Sequence, residues 1–433
     1  MVKDELIIKL IEELDLKRPK YEKLQRYYEG DHEILHEKAK VDETRADERA
    51  YFNYCRKVVQ NYTGYLLGKP INYSSKSDNK DFLDTIDLYF SNWEKEHNIS
   101  LKQLTEVFGT AFEVSYVNKD AEFQCAYFSP LEMIVLHDGT IDKNVSVAVR
   151  KYKIAYDDST YVDVWDNEHL TTYKLEDNEL ELIEQKRHFF SRCPVVEVPN
   201  NDLKKSAFDD IIKIVDMYNS INSTAANEIL DHRHAYLVIE NADLDIEEAT
   251  KMKQNGIILT PAGSKVYWAV KDINGEFVKG MLKDWQDEIY IQTNTVNLNE
   301  NFQSNTSGVS IRLKLQELEN LSAIKESIFE KALKKRLKFF CEWLKLAKNK
   351  DWDYRDIAIS FVRNVPVDEV SIANMVRDLQ GILPNEELVS WLPRVNNPSA
   401  SIQKLKDEQD ALGLNNLDEM LKKKNGVSNE QNE

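Results

Sequence analysis

Residues 309–345 read VSIRLKLQELENLSAIKESIFEKALKKRLKFFCEWLK, and this run decides the fold class. Ile311, Leu315, Leu318, Leu321, Ile324 and Ile328 recur at spacings of three and four, as expected of a helix with one apolar stripe. No Gly or Pro interrupts it. At 1.5 Å per residue the run predicts a helix of about 55 Å, long enough to brace a whole domain. Its C-terminal half carries Lys331, Lys334, Lys335, Arg336 and Lys338. These read as a solvated face that favours the negative helix end, or alternatively as a contact to DNA or a neighbouring subunit.

Immediately upstream, NENFQSNTSG has no periodicity and forms a polar loop: Asn299, Glu300, Asn301, Phe302, Gln303, Ser304, Asn305, Thr306, Ser307 and Gly308. Phe302 is its one apolar anchor, and none of its residues is cationic. Such side chains make weak phosphate contacts that carry no sequence information. Before the loop, Phe277 to Val296 is helical. Before that comes a compact mixed segment, with a strand at Tyr236–Glu240, a short helix at Ile246–Gln254, and strands at Gly256–Thr260 and Lys265–Val270. It follows another unbroken helical run, Ala207 to Asp231. The order is helix, insert, helix, loop, long helix. An insert of this kind projects from a scaffold and serves recognition, which points to His234, Tyr236, Lys251, Lys253, Lys265, Tyr267 and Trp268.

Further out, residues 3–28 read as a helix that turns at Glu29-Gly30-Asp31. A polar stretch to Arg49 follows, then an aromatic-rich helix over 50–67 that Gly68-Lys69-Pro70 stops. Residues 80–108 are helical again. From Ala111 to about Val198 short β-rich runs alternate with Asn/Asp/Gly turns: FEVSYV, FQCAYF, EMIVL, VSVAVRKYKI, TYVDVWD, LTTYKL, ELELIEQ and VVEVP. This predicts an antiparallel meander with no βαβ repeat. Downstream of the long helix come a strand, IAISFV at 357–362, two or three short helices to about Gly413, and a polar tail. The class is α+β with a large helical share.

The formal net charge is −18 over 433 residues. A chain this acidic cannot grip DNA tightly as a whole, so any contact with nucleic acid is local or weak. No stretch has signal-peptide or transmembrane character, and no membrane partner is expected. Cys55, Cys125, Cys193 and Cys341 lie far apart and read as free thiols of a reducing cytoplasm. Three local patterns invite sharper readings. Gly64 to Gly68-Lys69-Pro70 is one residue short of a phosphate loop, lacks the Ser or Thr after Lys, and follows a helix. Glu184-Gln185-Lys186 matches the ExK of metal-dependent nucleases, but the nearby Glu176 and Asp177 fall in a turn. His232-Arg233-His234 offers two histidines where a metal site needs more. No metal, cofactor or catalytic residue is expected.

Three stretches, taken together, resemble the portal proteins of long-tailed phages of Gram-positive bacteria. One is Tyr27-Tyr28-Glu29-Gly30-Asp31-His32 followed by Asn53-Tyr54-Cys55-Arg56-Lys57-Val58-Val59 and Gly64-Tyr65-Leu66-Leu67-Gly68-Lys69-Pro70. The second is the helix from Asp209 through Asn222-Ser223. The third is Ser307-Gly308-Val309-Ser310-Ile311 with Leu318-Glu319-Asn320-Leu321-Ser322 and Lys325-Glu326. The resemblance implies a portal-protein fold. Residues 1–206 would be a wing, 207–231 and 278–298 the two stem helices and 232–277 the clip. Residues 299–308 would be a DNA-facing tunnel loop, 309–362 the long wing helix with a returning strand and 363–413 a crown, leaving 414–433 as a disordered tail. It implies a non-enzymatic homo-oligomeric ring of about twelve copies with closed symmetry. The partners implied are double-stranded DNA, the terminase large subunit, the major capsid and scaffolding proteins, and a head-completion or connector protein. The place implied is the capsid portal vertex of a virion assembled in the host bacterial cytoplasm. Two other readings stay open on the residues alone. One is a nucleic-acid-processing enzyme, supported only by Glu184-Gln185-Lys186; the other is a different structural adaptor of the virion.

Overall fold

The computed structural model of the chain describes residues 2–37, 46–231, 236–241, 245, 247–248, 250–251, 262–269, 275–297, 315–363, 369–392, 395 and 398–411. They fall into two compact units, the first reaching residue 302 and resuming over 314–364, the second taking 303–313 and 365–433.

The first unit opens with α1 (Asp4–Glu29), α2 (Tyr54–Leu67), α3 (Lys80–Phe90) and α4 (Glu94–Phe108). Asp4 and Glu5 suit the positive end of α1. Gly30 ends it at φ 99°, its N–H on the Arg26 carbonyl. A Cβ there would lie 3.0 Å from the Tyr51 ring, so backbone and neighbour both require glycine. Asn53 caps α2 by accepting from the Arg56 N–H, and Asn79 caps α3 by accepting from the Phe82 N–H. The stretch expected as one helix over 80–108 is two. The chain breaks at Ser91–Trp93, where the Trp93 indole N–H donates to the Tyr89 carbonyl. Gly109 ends α4 at φ 81°, and a Cβ there would come within 2.2 Å of the Lys204 carbonyl oxygen.

The runs expected as strands are strands: β2 (Thr110–Val117), β3 (Phe123–Phe128), β4 (Met133–His137), β5 (Val145–Lys153), β6 (Thr160–Trp165), β7 (His169–Glu176), β8 (Glu179–Arg187) and β9 (Val195–Pro199). They do not make one meander. β4 to β8 form a five-stranded antiparallel meander, whereas β9 crosses back to β2 and completes a three-stranded sheet, β3-β2-β9. The reason lies in VVEVP: neighbours Val195 and Val196 point to opposite faces and both are buried, so β9 needs cover on both sides. The first turns of α1 lay Ile7, Leu10, Ile11 and Leu14 on Ile134, Val147, Val149, Val162, Val164 and Tyr173 of the meander. Further along α1, Leu24 and Tyr27 join a second cluster with α2.

The run expected from Ala207 begins as a 3-10 turn, Asp209–Ile211, and becomes α5 (Ile212–Asp231). A hairpin of β10 (Tyr236–Glu240) and β11 (Lys265–Ala269) separates it from α6 (Gly275–Gln292). The expected strand at 256–260 and most of the expected helix at 246–254 lie outside the described residues.

The long helix is α7 (Gln316–Lys348); residues 309–314 lie outside the described set. Its buried stripe runs through Leu318, Ser322, Lys325, Phe329, Leu333, Arg336, Leu337, Phe340 and Leu344. The phase differs from the one read off the apolar residues, since Ile324 is 59% exposed. Two cations take places on the stripe because carboxylates meet them inside. After α7, β12 (Ile357–Ser360) pairs antiparallel with β1 (Asn72–Ser75), a strand the sequence reading did not find. In the second unit α8 (Glu369–Leu379), α9 (Asn385–Ser390) and α10 (Pro398–Ala411) follow one another, with Leu388 buried on α9.

Candidate functional site

The inserted hairpin stands on α5 and α6, and these pack on the body through aromatic residues. Val215 and Tyr218 of α5, with Ile289 and Tyr290 of α6, are buried against Tyr54, Val58 and Tyr62 of α2. Tyr54 meets Tyr218 edge-on at 5.3 Å and Tyr290 at 6.3 Å, geometries that aromatic rings prefer. The Tyr54 hydroxyl accepts from Gln286, and Lys57 Nζ donates to the Tyr290 hydroxyl at 2.5 Å. Burial pushes the Tyr54 and Tyr62 phenols well above the usual tyrosine range, so both stay neutral, and the Tyr62 hydroxyl donates to the Thr293 carbonyl.

Residues 46–52 form an extended arm along α5. The Glu48 N–H donates to Asn227 Oδ1 at 2.7 Å, the Ala50 N–H to Ser223 Oγ at 2.9 Å and the Phe52 N–H to Asn219 Oδ1 at 2.9 Å. Asn227 and Ser223 also donate back to the Glu48 and Ala50 carbonyls, each at 3.0 Å. Two extended residues advance about 6.6 Å and four helical residues about 6 Å, so every second arm residue meets every fourth helix residue.

The hairpin pairs Tyr236 with Ala269 and Glu240 with Lys265. Of the residues singled out for recognition, Lys265 and Lys251 are exposed, and Tyr267 is 46% exposed with its hydroxyl donating to Glu240 at 2.8 Å. Tyr236 and Trp268 lie in the paired strands. His234, Lys253 and the whole loop Asn299–Gly308 lie outside the described residues, as does His232-Arg233-His234. Gly68 follows the last turn of α2, its N–H on the Gly64 carbonyl, as a helix end. Glu184 and Lys186 pair with each other at 2.6 Å on exposed β8, and no His/Cys/Asp/Glu cluster suited to a metal occurs among the described residues. Nor is any described helix long and apolar enough to cross a membrane.

The family model described as phage portal protein, SPP1 Gp6-like, matches residues 8–412. The chain belongs to this family of phage portal proteins. The portal protein of Bacillus phage SPP1 is 21% identical over 395 residues, covering 85% of this chain and 77% of the relative. The portal protein of Clostridium phage phiCD119 is 24% identical over 391 residues, covering 81% and 83%. A solved structure, the neck of an empty GTA particle computed with C6 symmetry, is similar with a TM-score of 0.47 and 10% identity, covering 85% of this chain and 92% of that one. Portal function at the capsid vertex is therefore the role of this chain, which is a structural component of the virion. Portal proteins work as oligomeric rings, and the family is structural.

In this portal chain the basic run on α7 is not one surface. Lys331 and Lys335 are exposed, but Arg336 is 0% exposed, which corrects the reading of the run as a solvated face. Its guanidinium grips both Glu113 oxygens and donates to Asn98 at 2.8 Å, with Glu94 at 3.3 Å. His97 Nε2 lies 2.7 Å from Glu113. Burial alone pushes the Glu113 carboxyl up, but the Arg336 charge and the His97 bond outweigh it and hold it at about 2. A second buried set joins Lys325 to Glu106 at 2.5 Å and Lys102 to Glu106 at 2.9 Å, and burial pulls the Lys325 ammonium down to about 8. Sequence reasoning missed both sets. The available signal was position: Arg336 stands three residues after Leu333 and four before Phe340, inside the apolar stripe.

Proposed function

We propose that residues 232–277 are the clip of the portal ring, the outer end that docks the packaging motor and later a connector. The observation that carries this is the β10–β11 strand pair, exposed at Glu240 and over Lys265–Tyr267, between two helices anchored on the body. On the same reading 1–206 is the wing, 207–231 and 278–298 are the stem, 309–362 is the long wing helix with its returning strand, and 363–413 is the crown. Residues 299–308 form the tunnel loop. About twelve copies would close the ring, in keeping with the closed symmetry of most homo-oligomers. The ring would nucleate procapsid assembly in the host cytoplasm with capsid and scaffolding proteins, pass double-stranded DNA, and leave ATP hydrolysis to the terminase large subunit. An acidic channel edged by neutral polar loops lets a polyanion slide without sticking.

The test is a ring in which residues 232–277 are replaced by a short Gly/Ser linker. It should still form annular oligomers, because the body's clusters are untouched, and it should lose binding to the terminase large subunit. Normal packaging by that ring would refute the assignment.

A further inference from the structure

The turn after α1 carries a histidine that portal function has not used. His32 is 0% exposed and lies between two tyrosine rings, with centroids 4.8 Å from Tyr27 and 5.5 Å from Tyr51. Its Nδ1 is 3.2 Å from Asn219 Nδ2, and its Nε2 has no hydrogen-bond partner among the described residues. Asn219 is also the rung that receives the Phe52 N–H.

That second bond fixes the amide. A backbone N–H is always a donor, so the oxygen of Asn219 faces Phe52 and the NH2 faces His32. Nδ1 must then accept, which places the ring proton on Nε2 in the neutral tautomer. A protonated ring would set N–H against N–H. Asn219 would have to turn its oxygen to His32, leaving Phe52 without an acceptor. We infer that His32 is a positioning residue for helix α5: its neutral Nδ1 orients Asn219, fixes the register in which α5 holds residues 48–52, and on protonation releases that rung.

The surroundings set the sign. Burial lowers the pKa of His32, opposed by Asn53, the Asp31 carboxylate and the Tyr27 carbonyl. Farther out, Asp216 accepts from the Tyr27 hydroxyl at 2.8 Å, and Glu33 lies near the same phenol. A histidine with a lowered folded pKa contributes stability above its unfolded value, which is lost as pH falls through that value toward the folded one. Burial raises the pKa of Asp216, so it also titrates on acidification, but the variants below leave it in place.

The experiment is hydrogen exchange on the purified full-length protein in a pH series from about 7.5 down to about 4.5, so that the lowered His32 titration falls inside the range, with protection corrected for intrinsic exchange. In the native chain, peptides covering 46–53 should lose about tenfold in protection while those covering β2 hold. His32→Asn keeps an acceptor oxygen near the Nδ1 position and cannot titrate, so its arm protection should not change with pH. Asn219→Asp accepts from both the Phe52 N–H and an imidazolium, so acid should preserve or increase protection. The inference is overturned by a native arm indifferent to pH, by the same acid loss in His32→Asn, by acid loss in Asn219→Asp, or by a loss shared equally with β2. Should His32→Asn fail to fold, the contrast between native protein and Asn219→Asp decides alone.

Discussion

Helix α7 and the β10–β11 hairpin both carry basic and aromatic residues, and the fold uses them in opposite ways. On α7, Arg336 and Lys325 are sealed among Phe329, Leu333 and Phe340, each against a carboxylate from α4 or β2. In the hairpin, Lys265, Val266 and Tyr267 are exposed, and the Tyr267 hydroxyl bonds across the strand pair to Glu240. Residue type does not separate these roles; packing does. A buried ion pair is costly to break, because the partner left behind has lost its water. An exposed lysine or tyrosine costs the fold almost nothing to change and remains available to a partner.

The comparison breaks most sharply at Arg336. Arg336→Met strands the Glu113 carboxylate inside the protein and should destabilise by about 3–5 kcal/mol, read by urea unfolding. The pH dependence carries a second signature. A carboxylate with a depressed folded pKa contributes stability above its unfolded value, which is lost as pH falls through that value toward about 2. In Arg336→Met that contribution disappears, and Glu113 should protonate well above its native range. A variant as stable and as acid-resistant as the native chain would show that the buried pair does not hold the fold.

Leu318→Asp comes next. Leu318 is buried in the cluster that also holds Tyr62, Val215 and Ile289. Lys325, over the Tyr62 ring, is already held by Glu106, so a carboxylate put in place of Leu318 among these rings should cost about 3 kcal/mol or more. The readout is the yield of soluble annular oligomer. A normal yield would mean that the α7 stripe does not knit the body to α5 and α6.

These two positions also show what the sequence made legible. Leu318 was readable because spacing of three and four marks a buried stripe wherever apolar residues lie on it. Ile324 obeyed the same spacing and is exposed, because the stripe turns toward Lys325, whose carboxylate partner Glu106 is 219 residues away in the chain. Periodicity sees neighbours on one helix and is blind to a partner that only folding brings near. The return of β9 to β2 and the pairing of β1 with β12 escaped for the same reason. The arm ladder on α5 was hidden differently: Asn219, Ser223 and Asn227 recur every fourth residue, but polar side chains on a helix read as solvent-facing until a backbone is found against them. In the hairpin, alternation and turn residues sufficed for β10 and β11, and exposure then separated Lys265 and Tyr267 from the rest.

A smaller effect on stability tests the other side of the comparison. Lys265→Ala with Tyr267→Ala should shift unfolding by no more than about 0.5 kcal/mol for each substitution, since both side chains are solvated. Binding of the purified ring to the terminase large subunit should weaken, with the loss largest at low salt where the lysine charge is least screened. Unchanged binding at every salt concentration would move motor recognition off this face of the hairpin.

The smallest effect on the fold is expected at residues 299–308, where the functional effect should be large. On the portal reading this loop edges the channel, and its neutral polar side chains make phosphate contacts too weak to hold DNA. Asn301→Lys, Gln303→Lys and Asn305→Lys together would place three cations per copy at the rim. Each cation that meets a phosphate releases a counterion, so the added grip multiplies around a ring and falls as salt rises. On that reading assembly should be unchanged, because a loop that edges the channel adds contacts to DNA and not to the body. Packaged DNA per procapsid should drop at low salt and recover in part at high salt. A triple-lysine ring that packages like the native one at low salt would remove the loop from the DNA path. A ring that fails to assemble would instead make it part of the scaffold, and the division between buried charges that hold the fold and exposed groups left for partners would not extend to it.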